Sequence, residues 1–329
     1  MSVPVVGVLG LRVGTGKTTL IYHLAWMFSE LGIRTVVVDL DPQCTLTEHF
    51  FGSELTDMML DEEQSILSGL VRWTGEGGHF DRPPVHLLND RIALMGGDIR
   101  LFGVFDALAE AWRESLDRQP RAVRTVTALH RLIQGAAMDH QAQVVLVDLD
   151  PSISPLNRMA FVAITHFLVP VVPEPLSLRS LGVLGATLTL WEEEWRERRL
   201  AALTSADDIP ERSMVPLGYV VMRVPAFGGR PAWISKRSLA WLPPRFYEDV
   251  LRAQAGQPPA DVDNDPMCLA QIPRYPTIFQ MAAELNKPVF DLKPADGAMG
   301  SIMTAVQRAR QDFEHLARAI LSRVGILPP

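Results

Sequence analysis

The chain has 329 residues and a formal net charge of −7, and its length fits one large α/β domain or two small ones. Hydrophobic residues make up 47% of the chain and charged residues 21%, the balance of an ordinary globular protein. The acidic balance excludes a protein that coats nucleic acid with its whole surface, although it leaves room for a local basic face.

The two cysteines and the apolar segments indicate the cellular compartment of the protein. Cys44 and Cys268 have no paired spacing, so neither a disulfide framework nor a zinc site is predicted, and two unpaired thiols fit a reducing compartment. The start "MSVPVVGVLG" lacks the basic region of a signal peptide. The longest apolar run, residues 159–172, is too short to cross a bilayer and contains His166 and Pro170. We therefore expect a cytoplasmic protein.

The first elements predict a βαβ unit. Residues 3–9 are apolar and β-branched, as in a buried parallel strand. After a glycine-bearing loop, Leu20, Leu24 and Phe28 recur at helical spacing, and Gly32 ends the helix. Residues 34–41 form a second apolar run, which ends in an aspartate. A strand, a helix and a strand in this order imply a parallel sheet.

The later elements continue the same alternation. Further strands are predicted at 143–150, 166–172, 216–222 and 267–273, and long helices at 178–200 and 301–323. We interpret residues 1–329 as a single domain, with a helical insertion at 57–140 and a loop-rich insertion at 224–266. Within the first insertion, "MGGDIRLF" indicates a strand end followed by a helix that Asp98 caps. The helix segment "WEEEWRERR" (191–199) is interpreted as a solvated face.

The loop before the first helix has the composition of a phosphate cradle. Such a cradle needs backbone N–H groups pointing inward, glycines where side chains would block approach, and a helix N-terminus behind. The segment from Gly14 to Thr19, including Thr15, provides these groups, with Gly16 allowing close approach. Lys17 would contact the β- and γ-phosphates, Thr18 would bind magnesium and Thr19 would touch the α-phosphate. A simple glycine-rich turn is the weaker alternative, because a strand precedes the loop and an amphipathic helix follows it.

Carboxylates end two of the predicted strands. Asp148 ends one apolar strand, where a carboxylate can hold magnesium through water. Asp39 and Asp41 lie two residues apart at another strand end, so both point to one face. One acid at a strand end commonly does no more than solvate a loop. Three of them beside a phosphate loop indicate a metal site.

Four ordered segments resemble the ParA/MinD family of P-loop ATPases. "RVGTGKTT" (12–19) is similar to the deviant Walker A loop of that family, and "VVVDLDPQCTLT" (36–47) to its switch I. Residues 144–181 resemble its Walker B and switch II stretch, and residues 272–292 its C-terminal segment. The resemblance covers most of the predicted sheet and leaves out the helical insertion and residues 226–266.

The resemblance implies a doubly wound, mostly parallel α/β sheet and an ATP-sandwich homodimer that uses magnesium. In the family, the first lysine of the loop reaches the phosphates of the partner, and that position is Arg12 here. Asp41 would orient the attacking water and Asp39 would support the metal. Asn157 matches an asparagine of the family in switch II. Met222, Arg223 and Pro273 match the family positions that surround the adenine base.

Three residues depart from the family pattern. Arg12 keeps the positive charge of lysine but differs from it in geometry. Val13 replaces a glycine and would strain the loop if that position needed a positive φ. Asp150 replaces a proline, and it either adds negative charge near the metal or caps the next helix through Ser152, the alternative that we favour.

The expected activity is ATP hydrolysis in DNA or plasmid partition or in cargo positioning, with an adaptor protein as partner. The alternative is a nucleotide-gated regulatory scaffold with slow or no hydrolysis, which Arg12, Val13 and the long insertion favour. Basic and aromatic residues alternate over 223–252 and could contact non-specific DNA, but a packed loop segment is the stronger interpretation. No membrane partner is expected, because the tail "LSRVGILPP" lacks a basic amphipathic pattern.

Overall fold

The computed structural model describes residues 2–52, 64–74, 84–202, 210, 214–224, 233–252 and 256–328. The strands of this part of the chain are β1 (Val5–Val8), β2 (Thr35–Leu40), β3 (His86–Leu87), β4 (Ile92–Met95), β5 (Val144–Leu149), β6 (His166–Val171), β7 (Val215–Val224) and β8 (Cys268–Pro273). The α-helices are α1 (Lys17–Glu30), α2 (Thr45–Phe51), α3 (Ile66–Thr74), α4 (Phe105–Glu114), α5 (Pro120–Asp139), α6 (Pro155–Ala163), α7 (Pro175–Ala202), α8 (Trp233–Arg245), α9 (Pro276–Glu284) and α10 (Ser301–Arg323).

The strands form an eight-stranded sheet in the order β3-β4-β2-β5-β1-β6-β7-β8. β2 runs parallel to both β4 and β5, and β7 runs parallel to β8. β3 is antiparallel to β4 at one edge. Strands β2, β3, β4 and β5 lie on one side of β1 in the sheet, and β6, β7 and β8 lie on the other. This order confirms the doubly wound, mostly parallel α/β fold that the sequence predicts.

Continuous apolar runs explain why the central strands are parallel and buried. Every residue of β2 and of β5 is buried, as is every residue of β1. A parallel strand is covered on both faces by crossover helices, so it does not alternate between apolar and polar residues. The predicted strand positions are therefore confirmed to within about two residues at each end.

The segment 57–140 contains strands as well as the predicted helices. β4 pairs in parallel with β2, from Thr35 opposite Ile92 to Val38 opposite Met95, so this segment contributes to the sheet itself. The predicted strand end and cap are confirmed, since Asp98 accepts a hydrogen bond from the amide of Arg100 at the start of a 3₁₀ turn (Ile99–Val104). The segment 224–266 likewise contains α8 and a π-helical turn, Phe246–Leu251, where the sequence indicated loops.

The chain forms two compact units. The first consists of Met1–Gly7, Ile33–Phe167 and Thr187–Val215, and the second of Val8–Gly32, Leu168–Ala186 and Pro216–Pro329. The prediction of a single domain over residues 1–329 stays a prediction.

Within the first unit, the charged end of α7 has two faces. Glu192, Glu193, Arg196 and Glu197 are exposed, as the interpretation of a solvated face expects, whereas the opposite face is buried. Trp191, Trp195 and Arg198 are buried. The guanidinium of Arg198 lies 4.4 Å from the ring of Trp112 and donates to its carbonyl at 2.9 Å. Glu194 accepts a hydrogen bond from the Trp112 indole at 2.9 Å. These polar groups pair with one another, which allows the helix to bury them.

Within the second unit, α10 has the boundaries that the sequence predicts, 301–323. Its buried face includes Val306, Phe313, Leu316 and Ile320, which recur at helical spacing. In the described part of the chain, no helix combines the length and the apolar character needed to cross a membrane.

A glycine allows α7 to approach the π-helical turn. A Cβ on Gly185 would lie 1.8 Å from the carbonyl oxygen of Asp249. We expect Gly185→Ala to lower the free energy of unfolding by about 3 kcal/mol, because backbone atoms cannot move aside cheaply. Gly182 is the matched control, since its Cβ would lie at an ordinary 3.5 Å from the Asp249 carboxylate, and Gly182→Ala should change stability by less than about 1 kcal/mol. Urea unfolding measures both variants, and equal stabilities would contradict this packing.

Candidate nucleotide site

The loop between β1 and α1 has the backbone of an anion cradle. Gly14 and Gly16 adopt φ values of 76° and 88°, a region that favours glycine because a Cβ would clash. Gly16 is the residue before α1, and no side chain caps that end of the helix. The first N–H groups of α1 are therefore open to an anion, and the helix dipole adds a partial positive charge there.

Lys17 is buried at the start of this helix. Its side chain is 7% exposed and that of Thr15 is 3% exposed. A Cβ on Gly10 would lie 3.7 Å from both Cδ of Lys17 and Oγ1 of Thr15, so the lysine stem folds back over the loop. An ammonium group at the N-terminus of a helix, behind such glycines, suits an anionic ligand, so Lys17 is a candidate phosphate ligand.

Val13 does not strain the loop. Its φ is not among the positive values of the backbone, so the suspected conflict between valine and a glycine conformation is absent. The side chain is 78% exposed and does not cover the cradle. The replacement of glycine at this position is therefore compatible with nucleotide binding.

Arg12 is held by the start of α7 in its own chain. Its Nη1 donates to Oγ of Ser177 at 3.0 Å, and its Nη2 lies 2.5 Å from the carboxylate of Glu174. The Arg12 carbonyl accepts a hydrogen bond from Thr15 Oγ1 at 3.3 Å. Ser177 is buried, whereas the arginine side chain is 29% exposed and Glu174 is 46% exposed. Arg12 therefore lies beside the loop and remains accessible to solvent.

The end of β7 lies against the glycines of the loop. A Cβ on Gly16 would meet Cε of Met222 at 3.0 Å, and one on Gly14 would lie 3.9 Å from Nη2 of Arg223. Arg223 has a φ of 61°, a strained conformation for a non-glycine residue that is often found at functional sites. Pro273 lies opposite Val224 in the neighbouring strand. The structure thus brings Met222 and Arg223 to the phosphate loop, and their contact with the base stays a prediction.

In the first unit, two of the predicted acids lie side by side. Asp39 and Asp148 are partners in the register of β2 and β5. Asp39 is fully buried and accepts hydrogen bonds from the amide and the hydroxyl of Thr47 and from the amide of Asp41. Burial raises the pKa of Asp39 to about 6, and the bonds from Thr47 oppose that rise. This carboxylate therefore orders the loop that carries Asp41.

Thr47 and Gly97 are site residues that sequence reasoning missed. Thr47 Oγ1 donates to Asp39 at 2.7 Å and accepts from the amide of Gly97 at 2.8 Å. A Cβ on Gly97 would lie 3.0 Å from the Asp39 carboxylate, so the backbone approaches that acid closely. Cys44 is buried in the same region, and burial raises the pKa of its thiol, with nearby Asp39 adding to the rise. This cysteine is therefore an unreactive packing residue.

The loop after β5 is organised by Asn157, and the expected cap is corrected. Asp150 accepts a hydrogen bond from Ser152, but the helix cap is Ser154, whose hydroxyl accepts from the amide of Asn157 at 3.1 Å. The Asn157 amide group donates to the carbonyls of Asp150 and Ser152 at 2.8 and 2.7 Å. Its Oδ1 is buried and has no hydrogen-bond partner among the described residues. Asn157 therefore shapes the loop that the resemblance assigns to switch II.

A buried histidine connects α1 to the C-terminal part of the second unit. His23 Nε2 accepts from the amide of Val289 at 3.1 Å, so Nδ1 carries the proton and donates to the carbonyl of Thr19 at 2.6 Å. The ring stacks on Phe313 at a centroid distance of 4.7 Å. His23 thereby ties the first turn of α1, which follows the phosphate loop, to α10. No sequence signal distinguished this histidine from the others.

The sheet and the loop together define a P-loop nucleotide-binding protein. A family model described as an AAA domain matches residues 4–200, more than half of the chain. The chain belongs to this family, and its relatives place it among the ParA/MinD-type P-loop ATPases.

Curated relatives are named for replication, chromosome partitioning and cell division. The chromosome-partitioning ATPase Soj of Thermus thermophilus is 30% identical over 175 residues, which cover 53% of this chain and 57% of Soj. The cell division protein PomZ of Myxococcus xanthus is 29% identical over 191 residues, or 56% of this chain and 51% of PomZ. The chain therefore matches about half the length of these two relatives.

Solved structures share the fold over almost the whole chain. A protein from Corynebacterium diphtheriae has a TM-score of 0.71 at 17% identity, with 98% of this chain and 99% of that chain covered. An ATP complex of McdA from Cyanothece has a TM-score of 0.64 at 15% identity, with 99% and 98% covered. At these identities the likeness supports the fold and no more.

Proposed function

We propose that this protein binds and hydrolyses ATP with magnesium and works in DNA partition or cargo positioning. The observation that carries the proposal is the buried Lys17 at the uncapped start of α1, behind two glycines with positive φ. The name of Soj, a chromosome-partitioning ATPase, supports the same activity.

The phosphate ligands are the backbone amides from Gly14 to Thr19 and the ammonium of Lys17. This set matches the needs of phosphoryl transfer, which depends on positioning and on neutralising charge more than on covalent chemistry. The side chains of Met222 and Arg223 lie against the same glycines and, with Pro273, would border the base. Asn157 would contribute from the switch II loop.

Thr18, Asp39, Asp41 and Asp148 form the proposed magnesium-binding set. Oxygen ligands suit magnesium, which is usually held by one or two carboxylates together with phosphate oxygens. A bound magnesium ion would neutralise the charge that develops on the phosphates. Asp39 also accepts a hydrogen bond from Thr47, so it would support the metal while ordering the loop, and Asp41 would orient the attacking water.

The partners of the proposed cycle are a second copy of the chain and an adaptor protein. In an ATP-bound homodimer, Arg12 would leave Glu174 and Ser177 and reach the phosphates of the partner subunit. A guanidinium group can bind phosphate through two parallel hydrogen bonds. Non-specific DNA remains a candidate partner, because Arg237 and Arg245 are exposed on α8.

Two measurements test this function. Purified protein should release phosphate from ATP only when magnesium is present, and light scattering should show a dimer with ATP and a monomer with ADP. Chelation of magnesium by EDTA should abolish phosphate release. Failure to bind ATP at millimolar concentration would end the proposal.

A regulatory scaffold with slow or no hydrolysis is the second candidate. The ion pair between Arg12 and Glu174 favours it, since a paired arginine must be freed before it can act on phosphate. In this case ATP would still drive dimerisation, but phosphate release would not exceed the rate without enzyme. The same two measurements therefore separate the candidates.

The Glu174 contact should restrain dimerisation. An exposed ion pair contributes at most about 1 kcal/mol, which corresponds to about 5-fold per protomer and about 25-fold for a dimer in which two pairs break. We therefore expect Glu174→Gln to tighten ATP-dependent dimerisation by up to this factor, as measured by sedimentation. Glu110→Gln, on an exposed position of α4, is the control. A Glu174 variant that dimerises more weakly than the wild type would show that the contact supports the dimer.

A further inference from the structure

A groove of about 710 Å³ runs between α7 and α8 in the second unit. Leu178 and Arg179 of α7 form one wall, and Arg237, Trp241 and Arg245 of α8 form the other. Asp249 of the π-helical turn lies at the same groove. The α7 wall lies within residues 4–200, which the family model matches, and the α8 wall lies beyond them.

The groove concentrates positive charge on an acidic chain. It contains three arginines against one aspartate, whereas the whole chain has a net charge of −7. Arg179 and Arg237 are exposed, while Arg245 lies 3.8 Å from Asp249. Two exposed guanidinium groups on opposite walls are therefore available to carboxylates.

The groove also contains apolar surface. The indole of Trp241 is 52% exposed, and Leu178 is half-buried on the facing wall. An exposed tryptophan in a concave surface is a frequent anchor point for a partner side chain. Burial of this apolar surface is expected to contribute affinity that charge alone does not give.

We propose that this groove binds an acidic peptide segment of a partner protein. Its carboxylates pair with Arg179 and Arg237, and a large apolar side chain packs on Trp241 and Leu178. A peptide fits better than DNA for two reasons. Asp249 repels phosphates but can accept hydrogen bonds from a peptide backbone, and the apolar lining has no counterpart on a phosphate backbone. The proposal is independent of nucleotide binding.

Fluorescence anisotropy with a labelled peptide tests the proposal on the full-length chain. The probe is a dodecapeptide that repeats Glu-Glu-Leu-Glu-Asp-Phe, and its neutral counterpart has Gln and Asn in place of Glu and Asp. We expect the acidic probe to bind at least about 10-fold more tightly than the neutral one, with a marked loss of affinity at higher salt. Binding should persist in Lys17→Ala, which separates this site from the nucleotide site.

Variants locate the binding. We expect the affinity for the acidic probe to fall by about 10-fold in each of three variants, Arg179→Ser, Arg237→Ser and Trp241→Ala. Arg121→Ala, at an exposed position of α5, should bind like the wild type, and circular dichroism checks that all variants fold. Equal binding of the acidic and neutral peptides, or full affinity in the groove variants, would overturn the proposal. So would displacement of the probe by a short DNA duplex that itself loses affinity in the groove variants, because the surface would then be a nucleic-acid site.

Discussion

Lys17→Ala is expected to weaken ATP binding by about 100-fold or more, as measured by isothermal titration calorimetry with magnesium. Each hydrogen bond from an ammonium group to a phosphate contributes about 1.5–3 kcal/mol, and a lysine of a phosphate loop contacts two phosphates. Two such bonds correspond to about two orders of magnitude or more in the dissociation constant. Phosphate release should be lost with the binding.

The control for this variant is another of the four lysines of the chain. Lys293 is 67% exposed on its side chain and lies 3.8 Å from Asp291, far along the sequence from the loop. Lys293→Ala should bind ATP like the wild type. If Lys17→Ala also binds ATP with wild-type affinity and folds normally, the loop does not bind the triphosphate.

Arg12→Ala is expected to reduce the turnover number by about 1000-fold while leaving the affinity of the monomer for ATP nearly unchanged. Arginine residues that stabilise the transition-state charge of phosphoryl transfer contribute about 10³–10⁵ in rate. Because the contacts of Arg12 in its own chain are with Glu174 and Ser177, its loss should not disturb the loop. Single-turnover kinetics and calorimetry measure the two quantities.

Two further variants sharpen this test. Arg12→Lys restores the residue type of the family. This variant should still dimerise with ATP, although lysine cannot make the bidentate contact with phosphate that arginine makes. Arg91→Ala, at an exposed position in the first unit, is the control. Unchanged turnover and dimerisation in Arg12→Ala would show that this arginine does not act on the partner subunit, and would leave the ion pair with Glu174 as its structural role.

Local sequence patterns predicted the central sheet well, because its strands are buried on both faces. Runs such as "TVVVDL" and "VVLVDL" are apolar without alternation, and they occur at β2 and β5. The loop was equally clear from its composition, and the structure adds that Gly14 and Gly16 have positive φ values. In each case the deciding physical cause lies within a few adjacent residues.

Features that depend on contacts between distant residues were missed. The sequence places Thr47 and Gly97 fifty positions apart, and only the pairing of β2 with β4 brings them to Asp39. The burial of Arg198 depends on Trp112, which lies in another helix. The true cap, Ser154, and the competing Ser152 are equally suitable residue types, and only the path of the loop decides between them. Such outcomes are set by tertiary packing.

A crystal structure with magnesium and a non-hydrolysable ATP analogue tests the central claim most directly. The account predicts that the triphosphate lies on the amides of residues 14–19, with Nζ of Lys17 within hydrogen-bond distance of the β- and γ-phosphates. It also predicts a magnesium ion bound to Oγ1 of Thr18. An analogue bound elsewhere on the chain, or a loop left empty at saturating nucleotide, would contradict the account.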